Sequence, residues 1–420
     1  MHATKIPNKK RGRTLYIFQA AFEYLTNILV TGSFLAVLTR EVGFSDSLTG
    51  VLSSVLCLGR LFQLLSIPYR IRRVKKMVIS CILVNQLLFI SLYLLPMLPL
   101  PQQVKPILFI AVIMTAYLLY YCVFPKKVTW LMGQVEESQR GIFTAKKEIF
   151  SLVVGMTFSY VMGAVSDHFF DKGDGLTCFL IFVAVMVVLM VLNLSCLVFT
   201  DEEELPAMPR VSLGQIVSEV ISDRRLMRIA TLLALFYIGY YVSIPFYSTY
   251  LIHEMGFSLK FISLMSIVTS VVRIMVSRAW GRYADRNSFV VMLEKCLWIF
   301  AASLLCVAFA VPSNGVVMFL GYYVLWGLAM GGINSAELNM VFDYAPPERR
   351  SDSLAVCQTM SGLAGFLATL AAGPLVDNIQ RSGNMLLGIP VYAQQVVSVL
   401  GVLFTVVSIA YLRLAVMKKT

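Results

Sequence analysis

Apolar residues occur along this chain in long blocks, and polar residues gather between the blocks instead of alternating within them. A helix of about 20 apolar residues matches the hydrocarbon thickness of a bilayer, so each block predicts one membrane span. Twelve are legible, at roughly 14–39, 48–69, 77–96, 106–131, 143–166, 176–199, 227–251, 259–280, 289–311, 315–341, 353–377 and 390–413. The basic stretch before the first block does not announce a cleaved leader. The run that follows it is too long for a signal-peptide core and lacks a small-x-small cleavage site, so it is expected to remain as the first span.

Composition supports the same reading. Of the 420 residues, 58% are hydrophobic and 14% charged, with a mean hydropathy of +0.78, whereas soluble proteins carry about 25% charged residues. The fold class expected is therefore an all-α integral membrane protein of twelve transmembrane helices. Lysine and arginine test that topology, because positive loops stay cytoplasmic. With the N-terminus inside, 25 of the 35 basic residues fall on cytoplasmic segments, 5 on the outer side and 5 within spans. Both termini are thus expected in the cytoplasm, and the plasma (inner) membrane is the expected location.

The net charge of +12 follows the membrane, so no nucleic-acid partner is expected. The eight cysteines are scattered through apolar runs without a CxxC pair, and the three histidines sit at the terminus or near span ends. Neither HExxH nor GxSxG nor a P-loop occurs. The expectation is a protein with no catalytic residues, no metal site and no cofactor, which is not an enzyme.

Residues 200–226 read as a cytoplasmic linker between two six-helix bundles, 1–199 and 227–420. The linker opens with Asp201-Glu-Glu-Glu204 and continues with Ser212-Leu-Gly-Gln215, a capping-box pattern. Leu213, Ile216, Val217, Val220 and Ile221 then share one helical face, as in a short amphipathic helix on the membrane surface; a solvated linker is the alternative.

The two bundles repeat each other. At an offset of 213, Glu41, Gly43, Phe44, Ser45, Arg60 and Arg73 fall on Glu254, Gly256, Phe257, Ser258, Arg273 and Arg286, part of 9 identities in the 36 positions from 38 to 73. At an offset of 210, Arg140, Gly155, Gly163 and Asp167 fall on Arg350, Gly365, Gly373 and Asp377. An even number of spans separates the copies, so both run the same way through the membrane.

With this repeat and the run Gly281-Arg-Tyr-Ala-Asp285-Arg286 after the eighth span, the chain resembles the major facilitator superfamily over nearly its whole length. That family's cytoplasmic motif is G-x-x-x-D-R/K-x-G-R/K-R/K. Gly281, Asp285 and Arg286 match it, Ser288 and Phe289 depart from it, and the run is expected to break the helix that carries Arg273. In the first half the equivalent run keeps Arg73 and its basic neighbours but has Arg72 where the acid would stand. The resemblance implies a gating role for Gly281, Asp285, Arg286 and Arg73, with Asp285 at the start of the fifth span near Phe143. It also implies alternating access by a monomer in the lipid bilayer, moving a small-molecule substrate.

Polar residues inside spans are the candidates for the path. Glu23 and Asn27 lie four apart on the first span, and an acid there couples transport to protons in some members of the family; the alternative is a structural ion pair of Glu23 with Arg60. Arg60 and Arg273 occupy equivalent places in the two halves, a pairing suited to a small oxyanion and similar to that of the family's nitrate/nitrite porters. Tyr237, Tyr240 and Tyr241 on the seventh span suit sugar-like or aromatic substrates. Lys126 and Lys127 read as boundary charges that snorkel to the cytoplasmic interface. Glu337 and Asn334, with Arg140 and Arg350, are candidates for the inner gate. The function expected is secondary active transport of a small solute, coupled to protons or cations. A membrane sensor or scaffold that retains the fold, and lipid or drug efflux or flipping, are the alternatives.

Overall fold

The computed structural model describes residues 9–55, 59, 61–62, 73–101, 103–136, 140–202, 214, 218, 221–344, 350–386 and 388–417. The amphipathic segment of the linker, most of the expected second span, Arg60 and Arg72 lie outside the described residues. Among the described residues, 10 helices are long and apolar enough to cross a membrane, or up to 11 when a bent pair is taken as one span. That pair is α1 (Lys9–Leu29) and α2 (Gly32–Val42), bent by 42°.

By their contacts the described residues divide into two units, 1–43 with 62–211 and 44–61 with 212–420. The first unit holds α1, α2, α4 (Lys75–Leu94), α5 (Val104–Met132), α6 (Arg140–Asp171) and α7 (Gly175–Phe199). The second holds α3 (Asp46–Ser53), α8 (Arg224–Tyr241), α9 (Leu259–Asn287), α10 (Phe289–Ala308), α11 (Gly315–Tyr344), α12 (Arg350–Arg381) and α13 (Ala393–Tyr411). A two-residue hairpin, β1 (Met385–Leu386) against β2 (Ile389–Pro390), closes the loop before α13.

In the first unit α1 packs on α6 and α7, and α4 packs on α5 and α7. A buried cluster including Tyr16, Val78, Ile82, Trp130, Phe143 and Leu197 fills one end. There the last carbonyls of α7, which have no intrahelical donor, are collected by side chains. Lys75 Nζ donates to the carbonyls of Val198 and Thr200, each at 2.8 Å. Trp130 Nε1 and Gln134 Nε2 donate to the Asp201 carbonyl at 3.0 and 3.1 Å. At the other end Tyr93 donates to the carbonyl of Leu29, where α1 stops, at 2.6 Å.

In the second unit α8 packs on α12 and α13, α9 on α11, and α10 on α11 and α13. Two features of the repeat reappear in its backbone. Gly43 and Gly256 both take left-handed conformations, φ +88° and +66°, and Ser45 and Ser258 both cap the next helix, each accepting an amide bond at 3.2 Å.

The Gly281–Arg286 run does not break its helix. Continuous α-helix extends from Leu259 to Asn287, because a single glycine costs only about 1 kcal/mol in a helix whose neighbours favour it. The break falls at Ser288, φ +133°, whose hydroxyl caps α10 by accepting from Val291 N at 3.3 Å.

The seventh span does break, after Tyr241, and continues as a 3₁₀ turn at Ile244–Phe246 and a π turn at Tyr250–Glu254. Pro245 has no N–H to give the carbonyl four residues earlier, that of Tyr241. Thr369 of α12 supplies the donor instead, its hydroxyl 2.6 Å from that oxygen. One turn away Gly365 leaves room for the Tyr241 ring, which a β-carbon there would approach to 2.8 Å. Thr369→Val should orphan a carbonyl in a water-poor site and cost about 1–3 kcal/mol. Thr369→Ser keeps the hydroxyl and gives up one methyl, about 0.8 kcal/mol. Melting curves in detergent should rank the variants in that order.

Candidate functional site

The helical spacing of Tyr16, Gln19 and Glu23 places all three on one face of α1. In the first unit that face meets α5 and α7, and Glu23 is the hub. Its Oε1 accepts from Lys127 Nζ at 2.6 Å and from the Tyr120 hydroxyl at 2.8 Å. Its Oε2 accepts from Lys127 Nζ at 2.5 Å and from Gln19 Nε2 at 2.8 Å. Gln19 Nε2 also donates to Asn193 Oδ1 of α7 at 3.0 Å.

Lys127 is 2% exposed, and its ammonium lies 5.0 and 5.3 Å from the ring centroids of Tyr120 and Phe124. Lys127 therefore does not snorkel outward. It faces α1 from within α5, where its ammonium is taken up by Glu23. Among the described residues Glu23 pairs with this lysine; Arg60, the partner in one of the two sequence readings, lies outside them. Lys147 of α6 stands over the Tyr16 ring at 4.8 Å, placing a second cation on the same face.

An ion pair so enclosed is held by mutual attraction and by the hydrogen bonds that fill the remaining lone pairs. Neutralising either member leaves the other as an uncompensated charge in a low-dielectric setting. Each member of the pair therefore depends on the charge of the other.

The second unit carries a different arrangement on the equivalent helices. The Tyr237 hydroxyl donates to both carboxylate oxygens of Glu337, at 3.0 and 3.2 Å. Tyr237 stacks on Tyr241 with centroids 5.7 Å apart, Tyr240 contacts Tyr241 at 4.8 Å, and Tyr240 lies parallel to Phe300 at 5.9 Å. The three tyrosines expected on the seventh span form one aromatic slab. Glu337, expected at the inner gate, joins it, while Asn334 is exposed.

The other candidates stand apart from these clusters. Asn27 is half-buried one turn along α1 from Glu23, and among the described residues no side-chain hydrogen bond joins it to the cluster. Arg273 is half-buried on α9, Arg73 and Arg286 are exposed, and Gly281 is half-buried. The side chains of Asp285, Arg140 and Arg350 lie outside the described residues, as does Arg60.

Lys127, Tyr120, Gln19 and Asn193 were not singled out from the sequence as members of a site. A signal existed for two of them: Gln19 lies four residues before Glu23, and Tyr120 lies seven before Lys127, two turns along one face.

The profile of the Major Facilitator Superfamily matches residues 16–369. No curated protein matches the chain. Among solved structures, the POT family transporter PepTSo is 12% identical and superposes with a TM-score of 0.72 over 97% of this chain and 98% of its own. A bacterial homologue of the human lysosomal transporter Spinster, inward-facing and unoccupied, is 14% identical, with a TM-score of 0.70 over 98% and 97%. The nucleoside transporter NupG is 13% identical, with a TM-score of 0.64 over 96% and 98%. At these identities the neighbours share the fold, and the profile match over most of the chain carries the assignment: the protein is a multi-pass membrane protein belonging to the Major Facilitator Superfamily.

Proposed function

We propose that the protein is a secondary transporter of twelve spans that moves a small solute by alternating access, with transport coupled to protons at the Glu23–Lys127 pair. The two halves are 1–199 and 227–420, joined by a cytoplasmic linker, with both termini on the basic side of the membrane and the chain acting as a monomer. The single observation that carries the coupling is a carboxylate that accepts four hydrogen bonds, two of them from a nearly inaccessible lysine. A proton arriving at Glu23 cancels the attraction that holds α1 to α5. Lys127 then needs another anion, and an anionic group on the solute meets that need. Proton and anion entering together keep the site neutral, which favours their joint passage.

The Tyr237, Tyr240 and Tyr241 slab is the proposed contact for an apolar or ring face of the solute, since tyrosine offers both a stacking surface and a hydroxyl. Arg60 and Arg273 are proposed as further anion contacts. Asp285 with Gly281, Arg286 and Arg73 is proposed as the cytoplasmic gate, with Glu337, Asn334, Arg140 and Arg350 at its inner mouth.

A double-mutant cycle separates a structural pair from a dispensable one. Glu23→Gln and Lys127→Met singly should each cost about 3–5 kcal/mol, whereas the double variant, with no buried charge, should recover most of that loss. Detergent melts of the three proteins check this. The recovered double variant then serves for flux. In proteoliposomes, uptake of a solute should rise with an imposed pH gradient for the wild type and be indifferent to it for the double variant; a retained gradient dependence refutes coupling at this pair.

The solute class is approached by thermal shift with small anions, sugars and hydrophobic cations, because a ligand that binds only the folded state raises its stability by RT ln(1 + [L]/Kd). Anions should stabilise the wild type and lose most of that effect in Arg273→Ala. Equal stabilisation of both proteins rejects the arginine contact.

A further inference from the structure

Residues 44–61 belong by their contacts to the second unit, although the chain on either side of them, 1–43 and 62–211, belongs to the first. What fastens this segment is visible at α3. Two of its contacts are close packing. A β-carbon on Gly50 would lie 2.3 Å from the Phe246 ring, and one on Gly373 would lie 2.7 Å from the Ser47 hydroxyl. These contacts are indifferent to charge.

The third is ionic. Asp46 opens α3, and because the hydroxyl of Ser45 already takes the Leu48 amide, the Asp46 carboxylate is free to reach sideways. Its Oδ1 lies 2.6 Å from His253 Nδ1 in the π turn that ends the seventh span. Its Oδ2 accepts from Gln380 Nε2 of α12 at 2.8 Å. Asp46 is 8% exposed, so one acid joins three elements of the unit.

The charged surroundings are few. Glu254, beside His253, acts electrostatically on both Asp46 and His253 and is hydrogen-bonded by the Asn384 side chain. On α12 Arg381 is exposed and Asp377 half-buried. On α3 the only ionisable side chain is Asp46 itself.

We propose that Asp46 and His253 form a proton-sensitive latch that holds α3 against the end of the seventh span and α12. An imidazole titrates across the physiological range. In either state its Nδ1–H donates to the carboxylate, but the imidazolium adds a full opposite charge, and the resulting ion pair gains Coulomb attraction in a setting where little water screens it. The latch is therefore tightest when His253 is protonated and Asp46 ionised, and it loosens as pH rises. It lies at the loop end poor in lysine and arginine, so the medium on that side controls it. The latch is independent of the role proposed for Glu23.

The test is hydrogen exchange of the full-length protein in nanodiscs, followed by mass spectrometry of the peptide covering 46–53 and corrected for intrinsic exchange. Protection of that peptide in the wild type should fall about tenfold between roughly pH 6 and pH 8. In His253→Gln the pH dependence should vanish, with protection near the wild-type value at the higher pH, while the α4 peptide covering 75–94 stays unchanged. Asp46→Asn should remove the dependence as well. In Glu254→Gln the dependence should survive. Equal wild-type protection at the two pH values overturns the latch, as does a dependence that persists without His253 or without Asp46.

Discussion

In lipid no water stands ready to take an orphaned backbone carbonyl, so each interruption of a span must bring its own donor. This constraint sets much of the packing. Where α1 stops, Tyr93 reaches the Leu29 oxygen. Where Pro245 withholds an N–H, Thr369 reaches the Tyr241 oxygen. Where α10 gives out, Tyr250 donates to Ala310. Each donor comes from another helix. The breaks that would weaken single helices thus become the points at which helices are tied together.

The same low dielectric governs the charges. A lone buried lysine is expensive, and so is a lone buried glutamate, but Glu23 and Lys127 offset each other and the hydroxyl and amide around them fill the remaining acceptor sites. The outcome is an interaction stable as a pair and intolerant of losing either half. In the second unit Arg413 and Glu294 also pair, with the arginine side chain 57% exposed and the glutamate buried.

Apolar periodicity made the spans legible because a bilayer demands long unbroken runs, and the duplicated Gly43-Phe44-Ser45 and Gly256-Phe257-Ser258 were legible because a left-handed glycine followed by a serine cap is a local device. Lys127 was misread for the opposite reason. Its burial depends on which helix that face of α5 meets, and this does not follow from the residues beside it. Gly281 was misread because one glycine signals a break only when its neighbours also resist helix, and Arg282, Tyr283 and Ala284 do not. The slab of Tyr237, Tyr240 and Tyr241 was foreseen as a group, but its link to Glu337 spans 100 positions of sequence. Such a pairing becomes visible only when α8 and α11 are laid side by side.

The two halves use one geometry for two kinds of chemistry. Glu337 follows Lys127 by 210 positions, the offset that also aligns the fifth span with the eleventh. In each unit, then, a residue of the first span bonds to the same place on the fourth: Glu23 to Lys127, and Tyr237 to Glu337. In the first unit both members are charged, so a single proton changes the bond from attractive to unbalanced. In the second the donor is a neutral phenol that keeps its proton, and the bond persists as long as the carboxylate does. The difference resides in four side chains.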